Sequence, residues 1–379
     1  MIRCSTLRLL EWLTVGEAPR LSPLRASADA AADWLARAQD ATPDDGVAAY
    51  YDVKQQRWAA SYPETTGYII PTLYAYAQWS GRAVFAERAT RMAHWECDLQ
   101  MDSGAVRAGN LDVPDIVPTI FNTGQVLFGW AAAYEHTGDV RFAIALRRAA
   151  DWLVSAQDGD GAWRRFGSPH SHAAVNTYNT RSAYGLIVAA RTLDEPGYAL
   201  AACANIDWAL TRVNAYGWLA NNDLDDDRRP LTHTIAYALR GILEVGIDQG
   251  RVDYVECAAR SAAAVAQAQR ADGALPARLD HKWRSAALSS CLTGNVQMAS
   301  VWLRLASHGI PGSWRASAKR CIAFTQATQR RHHAELERRG AIAGSAPLRG
   351  EYMSYRYPNW APKFYIDALM ALDAAGESA

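Results

Sequence analysis

Two kinds of apolar pattern alternate along this chain. Segments such as "YIIPTLYAYAQW", "VLFGWAAAY", "SAYGLIVAA", "IAYALRGILEVG", "VQMASVWLRLA" and "FYIDALMALDAAG" carry almost no charge. A helix that is apolar nearly all round belongs in an interior. The segments between them are amphipathic. In "RFAIALRRAADWLVSAQ", Phe142, Leu146, Ala149, Leu153 and Ala156 recur at steps of three or four, while Arg141, Arg147, Arg148 and Asp151 lie off that stripe. Such helices bury one face and form an outer layer.

The alternation is a repeat. Amphipathic helices end in a "DWL…Q" pattern and run into Asp- and Gly-containing loops: "ADWLARAQDATPDDG", "ADWLVSAQDGDGAW", "AAVAQAQRADGALP". A polar start then opens each apolar helix: "ETTGY" at 64, "FNTGQ" at 121, "YNTRS" at 178, "LTHTI" at 231, "LTGNV" at 292 and "YPNWA" at 357. Successive starts lie 57, 57, 53, 61 and 65 residues apart. The spacing predicts outer helices near 26–41, 84–101, 139–157, 196–212, 250–270 and 312–338, each leading to the next inner one through a long loop. Short links such as "WSGRAVF" and "HTGDVRF" return from inner to outer. The predicted fold is all-α, an (α/α)6 toroid over residues 26–379, with 1–25 as an N-terminal extension. Its long loops share one face, where the starts of the inner helices ring a central cleft.

This layout overrides the two or three ordinary domains that 379 residues would otherwise suggest. Lys+Arg and Asp+Glu balance at 39 each, so no global charge points to nucleic acid or an anionic membrane. The six cysteines include no CxxC pair and read as free thiols rather than as a zinc site. No P-loop or dinucleotide fingerprint is present, and neither a cofactor nor a metal is expected. In "MIRCSTLRLLEWLTVG", Arg8 and Glu11 break any leader-like apolar run, and no segment reaches the length of a membrane span. The expected location is the cytoplasm.

With "FNTGQVLFGWAAAYEHTGDVRFAIALRRAADWLVSAQDGDGAW" as a typical unit, the chain resembles the (α/α)6-toroid carbohydrate-active proteins. That group includes uronate polysaccharide lyases, the helical domain of glucuronyl C5-epimerases and several glycoside hydrolases. "PLTHTIAYALRGILEVG" and "YPNWAPKFYIDALM" are similar to hypothetical proteins of bacterial polysaccharide gene clusters. The resemblance implies a poly- or oligosaccharide partner. Isoprenoid cyclases share the architecture, so fold alone does not assign chemistry.

The rim chemistry is aromatic, amide-rich and locally basic. Glu64, Asn122, Gln125, Tyr178, Asn179, Arg181, His233, Asn359, Trp360 and Lys363 stand at inner-helix starts. The loops add Tyr51, Trp58, His170, His172, Asn176, Glu351, Tyr355 and Arg356. Part of this set has a plain structural reading. Asn122, Asn179 and Thr232 suit helix N-caps, and "NTGQ" has capping-box spacing. Six caps do not need Tyr, His, Arg, Glu and Lys on one rim, however, whereas a saccharide site uses stacking rings and convergent hydrogen bonds.

Removing the C5 proton of a uronate, for elimination or epimerisation, requires a neutralised carboxylate and a positioned base. Tyr178 and His233 are the expected proton-transfer residues, with His172 and Glu64 beside them and Arg181, Arg356 and Asn179 on the carboxylate. The alternative is glycoside hydrolysis by Glu64 and Glu351, with Asp115 or Asp225 as possible partners, since hydrolysis uses paired carboxyl groups. A non-catalytic glycan-binding toroid is a third reading. "DLDD" at 223–226 matches the proton-donor pattern of class II cyclases, but lies in an acidic loop where chance matches are common.

Overall fold

A computed structural model describes residues 23–169, 171–172 and 175–376. Six outer helices are α1 (Leu24–Asp40), α3 (Val84–Leu99), α5 (Val140–Ala156), α7 (Pro196–Leu210), α9 (Val252–Gln267) and α11 (Trp314–Thr328). Six inner helices are α2 (Pro63–Ser80), α4 (Ile120–Thr137), α6 (Thr180–Leu193), α8 (Thr232–Asp248), α10 (Leu292–Ser307) and α12 (Trp360–Ala374). Each inner helix packs on the next, and α12 returns to α2, so the inner ring closes. Outer helices α3, α5, α7, α9 and α11 each lie against the inner helix before them, and α1 lies against α12. All five stripe residues of α5 are buried.

Small residues let the inner helices approach. A Cβ on Gly241 would stand 2.2 Å from the Thr180 carbonyl, and one on Gly185 would stand 2.5 Å from that of Gly124. The outer layer is joined by a repeated glutamine. Gln157 Nε2 donates to the carbonyls of Gly161 (3.0 Å) in its own loop and Ala201 (2.9 Å) on the next outer helix. Gln100 does the same with Gly104 and Ala145, Gln269 with Gly273 and Ser317, and Gln329 with Gly340 and Ser27. The last of these joins the end of the chain's helical repeat to its first helix. Each such glutamine ties its own loop to the body of the next outer helix, and so explains the "DWL…Q" periodicity.

The structure differs from the sequence expectation in two places. The last outer helix stops at Thr328 rather than near 338, because Gln329 turns out of the helix to bind Ser27 and Gly340. The long loops also contain short strands. Strands β1 (Tyr50–Asp52), β2 (Arg57–Trp58) and β5 (Arg356–Pro358) form one antiparallel sheet in the order β2-β1-β5, with Tyr51 opposite Trp58 and Tyr357. Strands β3 (Ser290–Cys291) and β4 (Ser345–Ala346) form another. The first sheet joins the loop before α2 to the loop before α12.

Candidate functional site

Inner-helix starts all face the long loops, and inner-helix ends face the short links. Many polar starts fasten loops to the ring rather than cap helices. Thr66 Oγ1 accepts from Val47 N (3.0 Å), Thr123 Oγ1 from Val106 N (2.9 Å) and Asn295 Oδ1 from Leu275 N (3.0 Å). Asn122 Nδ2 donates to the Arg107 carbonyl at 2.9 Å, and Asn359 Nδ2 to Ala48 at 3.0 Å and Thr65 Oγ1 at 2.9 Å. None of the side chains of Asn122, Asn179 and Thr232 makes an N-cap bond, which corrects the capping expectation. Asn122 and Thr232 lie inside the helices they were expected to cap, and Thr232 Oγ1 donates to the Pro276 carbonyl.

Glu64, in the first turn of α2, is the chemical centre of the loop-face half. Its Oε2 accepts a 2.5 Å hydrogen bond from the phenol of Tyr62. Burial pushes its carboxyl up to about 7, and the Tyr62 bond partly offsets that rise. The side chain is half-buried and keeps solvent contact. Five phenols, those of Tyr62, Tyr68, Tyr178, Tyr237 and Tyr352, are raised chiefly by burial, with the Glu64 carboxylate adding to the shift in each. They are proton-holding phenols at any ordinary pH. No other charged group among the described residues acts on Glu64.

The surrounding rings interlock. Tyr178 meets Phe121 edge-on at 5.1 Å, and Tyr237 meets Phe121 at 5.0 Å. Tyr237 donates to Tyr68 at 3.5 Å, and Phe364 lies 5.3 Å from Tyr68 and 5.8 Å from Tyr237. His233 Nδ1 is 2.7 Å from Gln297 Oε1, its ring lies 4.5 Å from Tyr237 and 5.2 Å from Tyr352, and burial pushes it down to about 4. It is neutral at pH 7. Trp360 Nε1 donates to the Tyr352 hydroxyl at 2.8 Å.

Below the Tyr68–Tyr237–Phe364 layer lies a cavity of about 690 Å3. Its walls run along the inner helices to Glu135, Arg191, Ser307 and Ala375, so it opens among the short links, opposite the long loops. Glu64 does not line it. Arg181 and Lys363 do, and this corrects the expectation that they face the loop-side cleft. Arg181 starts at the head of α6 but reaches past Gln125, whose Oε1 accepts from Nε at 3.4 Å, to lie over Phe128 (4.5 Å) and Tyr184 (5.3 Å). Lys363 Nζ bonds Asp367 at 2.5 Å.

The remaining sequence-selected residues scatter. Arg356 pairs with Asp52 (3.2 Å) in the outer sheet and covers Tyr50, so it does not join Arg181 and Asn179. Tyr51 and Trp58 pack on each other, and Trp58 on Trp34 of α1. Tyr355 carries Lys54 over its ring at 4.0 Å. His172 is exposed, Asn176 is bonded to Ser171, and the buried Asn179 Oδ1 has no hydrogen-bond partner. His170 lies outside the described residues. Glu351 bonds Arg278 (3.1 Å), which also holds Asp225 (2.9 Å) and Asp223 (3.3 Å). Asp223 further accepts from the backbone of Leu224, Asp225 and Leu231. The "DLDD" acids therefore tie a loop together. Tyr62 and Tyr237 were not selected from sequence. Tyr237 lies one turn after His233 on the same helix face, which was the available signal.

No family model matches the chain, and no curated protein is similar to it. Solved structures do match. An unsaturated glucuronyl hydrolase from Bacillus sp. GL1, responsible for degradation of glycosaminoglycan, superposes with TM-score 0.73 at 17% identity, covering 93% of this chain and 98% of that one. A cellobiose 2-epimerase from Bacillus thermoamylovorans gives 0.70 at 10%, covering 92% and 98%. A polysaccharide lyase gives 0.66 at 11%, covering 94% and 99%. The fold is the (α/α)6 toroid that these neighbours share. The toroid spans nearly the full length of each of these neighbours. Among the described residues, no helix is long and apolar enough to cross a membrane.

Proposed function

We propose that this toroid is a carbohydrate-active enzyme for uronate-bearing oligosaccharides, with Glu64 as its proton-transfer group. The observation that carries this reading is the Glu64 carboxyl, held near 7 by burial and bonded to Tyr62. A group that titrates near the working pH is suited to give and retake a proton. The glucuronyl hydrolase neighbour supports the uronate substrate class, and the epimerase and lyase neighbours support carbohydrate chemistry more broadly.

The surroundings of Glu64 favour acid catalysis on an unsaturated uronyl ring. Such a ring is a vinyl ether, and one acid suffices to protonate its double bond. The cation that follows is accommodated by phenol faces and by the carboxylate left behind. Water adds to the cationic carbon, its proton returns to the Glu64 carboxylate, and the resulting hemiketal opens to release the neighbouring sugar as an alcohol. An enolate, the intermediate of C5 proton abstraction, needs cationic donors, and the sequence-selected candidates, Arg181 and Lys363, line the cavity beyond the aromatic layer. Paired-carboxylate hydrolysis finds no support either, because Glu351 is engaged by Arg278. The second reading, C5 proton abstraction, draws support from His233, which is neutral and available as a base at pH 7.

Incubation with unsaturated and saturated acidic oligosaccharides tests this. Loss of unsaturated-uronate absorbance, abolished in Glu64→Gln, is the expected result. Gain of that absorbance from a saturated glycan, or solvent deuterium at C5, would establish the second reading. No turnover of any substrate would leave a glycan-binding toroid.

A further inference from the structure

We propose that the cavity among the short links is a second binding site, taking the oxyanion of an acidic sugar. It does not depend on the role given to Glu64, which lies across the aromatic layer. At about 690 Å3 the cavity has the size of a small-molecule site. Its lining includes six cations, Arg181, Arg191, Arg240, Arg304, Arg315 and Lys363, against two carboxylates, Glu135 and Asp367, with Glu244 behind Arg240 and Arg304 and Asp248 behind Arg191.

Arg181 is the decisive residue. It is 7% exposed, and neither terminal nitrogen has a hydrogen-bond partner among the described residues. A buried guanidinium without an anion is costly unless something supplies one. Arg240 has Glu244 at 2.7 Å and Lys363 has Asp367, yet the charges of Arg181 and Arg240 still act on each other and on Lys363. Three cations thus converge on one void with two carboxylates, Asp367 and Glu244, set against them. An oxyanion between them would relieve that repulsion with charge-assisted hydrogen bonds.

Compensation of helix dipoles does not account for this arrangement. Cations are favoured at helix C-termini. Arg181 is the second residue of α6 and Lys363 the fourth of α12, at the positive ends of their helices. The walls add Tyr68, Phe128, Tyr184, Tyr237 and Phe364, whose rings offer faces to a sugar as well as a boundary to the charge. The ligand is therefore an acidic sugar rather than a bare ion, through either a carboxylate or a phosphate.

Calorimetric titration of the full chain at fixed ionic strength tests the site with glucuronate, glucose 6-phosphate, glucose and inorganic phosphate. Saturable binding of one or both acidic sugars is expected, with none for glucose. Glucuronate alone would identify a carboxylate ligand, and glucose 6-phosphate alone a phosphate ligand. Arg181→Gln should weaken binding about tenfold or more, and Glu64→Gln should leave it unchanged. If Arg181→Gln does not fold, Arg191→Gln at the exposed mouth should weaken binding several-fold through lost attraction. No saturable binding, wild-type affinity in the folded Arg181 variant or (where it does not fold) in the Arg191 variant, weakened binding in Glu64→Gln, or inorganic phosphate binding as tightly as the sugars would overturn the proposal.

Discussion

The phenol of Tyr62 donates a hydrogen bond to the carboxyl of Glu64 across 2.5 Å, and the two opposing influences on that carboxyl meet there. Burial raises it and the bond lowers it, with burial prevailing. Tyr62→Phe removes the lowering influence. The Glu64-dependent limb of the pH–rate profile should therefore move to higher pH, with activity retained. A limb that stays in place or moves to lower pH would show that the bond does not tune Glu64.

Glu64→Gln should lower kcat by about 10²–10⁴-fold, the usual worth of a general acid. It should also change the pH dependence of stability. The folded carboxyl sits at about 7 against 4.5 in its ordinary state, so the native protein binds the extra proton between those values. Stability contributed by the neutral form is complete below pH 4.5 and is lost as pH rises toward and through 7, by at most about 3 kcal/mol. Urea titrations of wild type and Glu64→Gln across that window should diverge with this sign.

His233 carries the opposite slope. Its folded value is about 4 against 6.5 ordinarily, because burial disfavours the imidazolium. The stability associated with its neutral form is complete above pH 6.5 and is lost as pH falls toward and through 4. His233→Gln should therefore flatten the acid limb of the stability curve. An unchanged acid limb would mean that the ring is not buried as described.

Gln157 holds two carbonyls at once, one in its own loop and one on the next outer helix. Gln157→Ala leaves both without that donor and should cost about 1–3 kcal/mol. Gln269→Ala, which breaks the same pair of contacts two units of the ring further on, should cost a similar amount. Denaturant midpoints at constant m-value measure both losses.

Glu96, on α3, is fully buried, and neither carboxyl oxygen has a hydrogen-bond partner. Burial, with the charge of Asp44 adding, holds its pKa well above the carboxylate range. Glu96→Gln keeps the shape without an ionisable proton. It should be nearly neutral in acid and increasingly stabilising as pH rises, which thermal melts at pH 5 and pH 8 would reveal.

The ring was readable from the chain because its fastening residues recur with its helices. Gln39, Gln157 and Gln269 end the phrases that reveal the repeat, and the glycines of the same loops let each turn approach the next outer helix. The site was less readable. Glu64 stood out as a glutamate at a helix start, but its partner Tyr62 precedes the helix and looked like ordinary loop. Arg181 occupies a loop-face position along the sequence, yet its long side chain carries the charge over Phe128 to the other half of the ring. Asn122 and Asn359 resembled caps or ligands and instead hold loop carbonyls, since pairing of loop with helix start depends on how the loops fold back.

Five of the six inner–outer pairs are hairpins whose short links keep the two helices together even when their contacts loosen. The pair of α12 and α1 has no such tether, because its members come from opposite ends of the helical order. Side-chain bonds, among them Trp34 to the Glu337 carbonyl, Gln326 to Ser27, and Tyr76 to Asp29, and the pairing of β1 with β5 hold it and its surroundings. A tether keeps two surfaces at high effective concentration after they part, and an untethered pair loses that advantage. The molecule is thus a bracelet with one clasp, where α1 meets α12.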